Sequence, residues 1–96
     1  MSELTLVSTH KWPLKPLVQA ALENELRLLE AGTRRTEKRL DQFEAKYRLS
    51  TVDFIRKYEN DELAESLDFA EWVGEYRMLA RLREKMETLR GVNFEN

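Results

Sequence analysis

The stretch Leu17–Tyr47, LVQAALENELRLLEAGTRRTEKRLDQFEAKY, decides how this chain folds. Counted in sevens, it carries Leu22, Leu26, Leu29, Thr33, Thr36, Leu40, Phe43 and Tyr47, separated by alternating steps of four and three. That spacing keeps one stripe of an α-helix facing a partner. At 1.5 Å per residue the helix would be about 45 Å long, more than a small domain buries around itself. A second apolar helix must lie along it, and the seam Leu22–Phe43 also suits pairing with another copy of the chain. Thr33 and Thr36 stand where Leu is expected. They fit either a loosely packed, partly exposed middle or a polar layer that sets register in a dimer. Gly32 interrupts the pattern at a cost of about 1 kcal/mol relative to Ala, so both a continuous helix and a break are open readings.

Toward the C-terminus, Ser50 followed by Asp53, with Leu49 and Phe54 in flanking positions, is a near capping box with its apolar staple. It predicts a short helix over 51–59 carrying Phe54, Ile55 and Tyr58. Glu59-Asn60-Asp61-Glu62 then reads as a turn, with Asn60 as the residue suited to a left-handed or capping conformation. A last helix is expected over about 62–90, starting between Asp61 and Leu67, capped by Asn60 or Ser66 and stopped by Gly91. Its apolar face is Phe69, Trp72, Val73, Tyr76, Leu79, Leu82, Met86 and Leu89.

On the other side, Pro16 suits a first helical position, giving a helix over 16–47. Residues 1–15 form a separate arm, in which Leu4-Thr5-Leu6-Val7-Ser8-Thr9 is β-branched enough to be extended. No second run of that kind exists to pair with it inside the chain, although Val92-Asn93-Phe94 makes a short alternating tail. The expected fold is all-α: an antiparallel hairpin of two long helices joined through a short one, with an extended arm, pairing into a dimeric bundle.

Composition narrows the function classes. The 96 residues make one small domain, 42% apolar and 35% charged, with Gly 3 and Pro 2, a mixture suited to surface-rich helices. A net charge of −2 gives no bulk attraction to nucleic acid or anionic membranes. Cys 0 removes disulfides and thiolate metal sites and fits a reducing cytoplasm. No apolar run approaches the roughly 20 residues that span a bilayer, and the acidic start does not resemble a secretory signal. A soluble, cytoplasmic protein without a cofactor is expected.

The single histidine, His10, cannot alone supply a catalytic triad or a zinc site. Glu59, Asp61, Glu62, Glu65, Asp68 and Glu71 form an acidic run without Lys or Arg. It is either a solvated turn that favours a helix N-terminus or a negative surface that docks on a basic partner. Trp72 and Tyr76, with Phe69, form an aromatic face that packs the hairpin or leaves a binding hot spot exposed. The pairs Glu62/Glu65 and Glu84/Glu87 would each lie on one helix face, the arrangement by which all-α nucleotide pyrophosphatases of the MazG type hold Mg²⁺. Here Lys85 and Met86 sit inside the second pair and no further acid completes the set. Arg27, Arg34, Arg35, Lys38 and Arg39 are a basic stretch, with Glu30, Glu37 and Asp41 spaced for intrahelical pairing. They permit nucleic-acid binding without any recognition motif to favour it.

The segments Lys46–Leu63 (KYRLSTVDFIRKYENDEL) and Asp68–Leu79 (DFAEWVGEYRML) resemble small bacterial and archaeal proteins encoded beside a toxin-like protein, the antitoxins of TumE-type toxin–antitoxin pairs. The likeness runs from Leu17 to Asn96 and is weakest over Met1–Lys15. It implies a noncatalytic helical partner that binds and neutralises a small, basic toxin-like protein encoded nearby. The alternative that the residues themselves allow is a homodimeric coiled-coil scaffold.

Overall fold

The computed structural model describes residues 3–4 and 13–94. Three helices dominate: α1 (Leu14–Tyr47), α2 (Thr51–Glu59) and α3 (Leu67–Arg90). The long pair, α1 and α3, pack antiparallel along one another. Their register is read from side chains that meet: Lys46 with Asp68, Phe43 with Trp72, Glu37 with Arg83 and Thr33 with Met86. The chain is a rod of 59 × 21 × 17 Å.

α1 starts at Leu14, two residues earlier than expected, so Pro16 is its third residue. Its first-turn amides have no intrahelical acceptor in any case, so proline costs no hydrogen bond there. Gly32 does not break the helix, which is continuous across it. At 34 residues α1 is ten longer than the 24 of α3, so about 15 Å of its N-terminal part runs past the end of α3.

The seam finds its partner inside the chain. Leu29, Thr33, Thr36, Leu40 and Phe43 are all buried. Leu22 and Leu26, toward the overhanging part, are half-buried. This corrects the assignment of the seam Leu22–Phe43 to a dimer: its central residues are covered by α3 of the same chain. The exposed-middle reading of the threonines fails too. Thr33 Oγ1 donates to the Leu29 carbonyl at 2.8 Å, the way a buried helical threonine satisfies its hydroxyl. Thr36 is only 3% exposed and makes no hydrogen bond through its side chain among the described residues. No buried side-chain polar atom among the described residues lacks a partner, so this hydroxyl keeps contact with water, and Thr36→Val should leave Tm within a few degrees of the unaltered chain. Thr33→Val, which loses the bond to the Leu29 carbonyl, should melt no higher than Thr36→Val; a clear gain at Thr33 would contradict this assignment.

A left-handed Arg48 ends α1, and Leu49 N–H returns to the Glu44 carbonyl at 3.3 Å. α2 then starts where the capping pattern places it. Ser50 Oγ accepts from Asp53 N–H at 3.1 Å, as expected. The second half of the box is different. Asp53 pairs with Arg56, and the free amide of Thr51 is taken by Glu44 Oε2 of α1 at 2.6 Å. A carboxylate from the preceding helix thus fixes the start of the next one.

α2 ends in a Schellman motif: Asp61 N–H bonds the Tyr58 carbonyl at 3.2 Å and Glu62 N–H bonds the Lys57 carbonyl at 2.9 Å. Asn60 is the C-cap of α2, one of the two roles expected of it, with φ −91°; the left-handed residue is Asp61, with φ 55°. The last helix begins at Leu67, the late end of its expected Asp61–Leu67 range. Ser66 is its cap, accepting from Phe69 N–H at 3.1 Å, so residues 60–66 form an irregular link. Gly91 does end α3, with φ −83° and bonds from its amide back to Glu87 and Thr88.

Antiparallel packing brings the start of α1 and the end of α3 to the same end of the rod. There Glu3–Leu4 (β1) pairs in parallel with Asn93–Phe94 (β2). The expectation that the arm has no partner in the chain therefore fails for these two residues, because a two-residue ladder needs only the short tail. The rest of the Leu4–Val7 run, and His10, lie outside the described residues.

Candidate functional site

The closed end of the hairpin is an aromatic core. Trp72 and Phe54 are fully buried. Their rings stack at 3.9 Å with 3° between planes, and Phe43 stacks on the same indole at 5.5 Å. Trp72 thus touches α1 and α2 from α3. Its Nε1–H donates to Thr51 Oγ1 at 3.0 Å, which removes the one polar cost of burying an indole. Of the two readings of this aromatic face, packing the hairpin holds for Trp72, and contact with a partner does not, since none of its surface is left for one. Tyr76, paired with it in that expectation, is 39% exposed and stands apart from the acidic turn, about 13 Å up the helix from Leu67.

The acidic run divides into two sets. Asp68 and Glu71 are used within the chain: Lys46 Nζ and the Tyr47 hydroxyl both donate to Asp68 Oδ2, at 2.6 and 2.5 Å, and Arg39 pairs with Glu71 at 2.6 Å. Glu59, Asp61, Glu62 and Glu65 are exposed, and their carboxylates have no hydrogen-bond or ion-pair partner among the described residues. All four lie at the end of α2 or in the irregular link. The link ends at Leu67, which is 85% exposed.

The basic stretch of α1 is also used differently from its reading. Among the described residues no ion pair joins two residues of α1; the pairs cross to α3, as Arg39–Glu71, Lys46–Asp68 and Arg83–Glu37. Each is solvent-exposed and so worth about 0–1 kcal/mol, enough to bias register without holding the fold. Arg27 leans on Asn24, and Arg34, Arg35 and Lys38 are exposed without a partner among the described residues.

The Lys46–Tyr47–Asp68 cluster makes a pH prediction. Hydrogen bonds from Lys46 and then Tyr47 hold the Asp68 carboxyl below its ordinary range. The hydrogen bond to Asp68 in turn raises both Lys46 and Tyr47. A depressed acid stabilises the fold above its unfolded pKa and loses this as pH falls through the folded one. Raised Lys and Tyr stabilise below their unfolded pKa and lose this as pH rises through the folded value. Melting temperature against pH should therefore fall on both limbs, below the carboxylate range and above the lysine range. Asp68→Asn should flatten both. An unchanged profile would show that the cluster does not couple to folding.

The carboxylate pairs proposed for Mg²⁺ are not assembled. Glu62 and Glu65 lie in the link, outside any helix, while Glu84 and Glu87 lie far along α3. Glu84 is seventeen residues from the start of α3, about 25 Å along its axis. Among the described residues no group of three or more metal-ligating side chains converges.

Grooves open along the hairpin, one of about 440 Å³ toward its open end, lined by Glu25, Leu29, Glu84, Lys85, Thr88 and Leu89, and two on its flanks. One flank groove, of about 510 Å³, is lined by Glu37, Leu40, Asp41, Glu44, Thr51, Val52, Tyr76, Leu79 and Arg83. The other, of about 360 Å³, is lined by Arg35, Lys38, Arg39, Gln42 and Glu75. Neither was foreseen from sequence, although the edges of the α1 stripe carry the signal: acids at 37, 41 and 44 on one side, cations at 35, 39 and 46 on the other. No described helix is long and apolar enough to cross a membrane. Compared with known protein families, curated proteins and solved structures, the chain matches none.

Proposed function

We propose that this chain is a noncatalytic protein-binding module whose acidic turn docks on a basic partner. In line with the resemblance to TumE-type antitoxins, that partner is a small toxin-like protein encoded nearby, neutralised by occlusion. The observation that carries the reading is the division of the acidic run. Asp68 and Glu71 are matched by cations of α1, whereas Glu59, Asp61, Glu62 and Glu65 are left unmatched beside an exposed Leu67. Four carboxylates within seven residues repel one another in the free chain. A cationic surface relieves that repulsion, and Leu67 adds an apolar contact inside a charged rim, the usual anatomy of an interface. Lys57 and Arg56 are the cations nearest in sequence; Arg56 pairs with Asp53, and Lys57 joins no ion pair among the described residues.

Glu62→Lys with Glu65→Lys tests this. Both residues are exposed and lie outside helices, so helicity and Tm should hold. Affinity for the protein that co-purifies stoichiometrically from the native cell should fall about tenfold or more at low salt. The gap between the two chains should narrow as salt rises. Equal affinities at low salt would remove the acidic turn from the interface.

A further inference from the structure

We infer that the two long flanks of the hairpin are complementary faces of one interface, so that the chain associates with a second copy, acidic flank against basic flank. The acidic groove sets Glu37, Asp41 and Glu44 against the single cation Arg83. The basic groove sets Arg35, Lys38 and Arg39 against Glu75, with Glu71 beside them in its pair with Arg39, so cations still outnumber acids by one. Helical spacing places Glu37, Asp41 and Glu44 on one edge of the buried α1 stripe and Arg35 and Arg39 on the other, with Lys38 on the outer face next to them; the crossing ion pairs locate the edges, Glu37 meeting Arg83 on one and Arg39 meeting Glu71 on the other.

Each flank also offers apolar surface. Val52 and Tyr76, 75% and 39% exposed, stand over a floor of Leu40 and Leu79 in the acidic groove. On the basic side Leu28 lies seven residues before Arg35 and Met78 three after Glu75, and these two are 60% and 45% exposed. Charge of opposite sign and apolar surface on both faces name the occupant: the complement of each groove is already present on the molecule. Because the faces differ, the contact is heterologous, and it propagates unless rotation closes it into a ring. It also replaces the self-pairing once read into the seam of α1, which α3 occupies.

The test is molar mass by sedimentation or light scattering against concentration and salt. The unaltered chain should grow with concentration and shrink toward monomer with salt. Asp41→Lys with Val52→Lys spoils the acidic flank, and Arg35→Gln with Lys38→Gln spoils the basic one. All four positions are exposed. Each variant, with helicity intact by circular dichroism, should self-associate about tenfold more weakly or less. Mixed in equal amounts, the two variants should form a dimer and go no further, because each keeps one working face. Three results would each overturn the inference: an unaltered chain that stays monomeric at every concentration, a mixture that forms no dimer, or an equal loss from Arg77→Gln with Arg81→Gln on the outer face of α3.

Discussion

Replacing Trp72 with Ala should cost about 3–5 kcal/mol, the range for deleting a large aromatic side chain from a core. For a chain of this size that corresponds to a fall in Tm of roughly 15–30 °C, close to the whole stability of a small domain. The size follows from what the indole does. It is 0% exposed, stacks on Phe54 of α2 and Phe43 of α1, and bonds Thr51 at the start of α2. Removing it empties the one place where all three helices meet. Trp72→Phe keeps a ring there and should cost less, with the loss concentrated in the Thr51 bond and the smaller volume. A thermal melt followed by circular dichroism decides. If the Ala variant loses only a few degrees, this aromatic stack is not the centre of the fold.

The opposite change is expected at two glycines. Gly32 and Gly74 lie inside helices, and neither has a positive φ. A methyl group at Gly32 would meet Leu82 at 3.6 and 3.8 Å, ordinary van der Waals contact, and at Gly74 it would meet nothing within 4 Å. Each position therefore carries the backbone-entropy cost of glycine without a steric reason for it. Gly32→Ala and Gly74→Ala should each add about 1 kcal/mol, and they should add to each other because they sit on different helices without shared neighbours. The double variant should melt roughly 8–16 °C higher. A lower Tm for Gly32→Ala would mean that α1 and α3 approach more closely at that point than the side-chain distances imply.

Much of the architecture was legible because it rests on periodicity. Steps of three and four in 17–47 and again in 69–89 specify two stripes, and stripes of that length must cover each other. The Ser50 cap and the Gly91 stop were legible for the same local reason: their chemistry acts within one turn. What sequence left undecided was who covers whom. A seam of Leu and Thr has the same pattern whether its partner is a second copy or α3, and only the length of the apolar face on α3 decides it. Local rules also mislead where a distant group intervenes. Glu44 replaces Asp53 as the acid at the start of α2, and the Asn60 turn is completed by Asp61 because the Schellman bonds fix which residue turns left-handed.

The candidate site was half legible. An acidic run can be counted, but its division cannot. Whether Asp68 is free depends on Lys46 and Tyr47, residues 22 and 21 positions away. Likewise, Trp72 and Tyr76 lie one turn apart, and only the placement of α2 buries one and leaves the other facing a groove. The two charged flanks were present as edges of the α1 stripe, yet the basic residues were matched with acids of the same helix. The hairpin pairs only Arg39 of them across to α3 and leaves Arg34, Arg35 and Lys38 without a partner among the described residues.

The central claim is that the unmatched acidic turn, held out from a core complete in itself, is the surface a partner covers. Hydrogen exchange of the chain alone and bound to its co-purifying partner tests this most directly. New protection should concentrate on residues 63–67, the part of the turn whose amides make no backbone hydrogen bond among the described residues, with the core around Trp72 unchanged. Protection confined to α1, with the turn exchanging as fast as before, would contradict it.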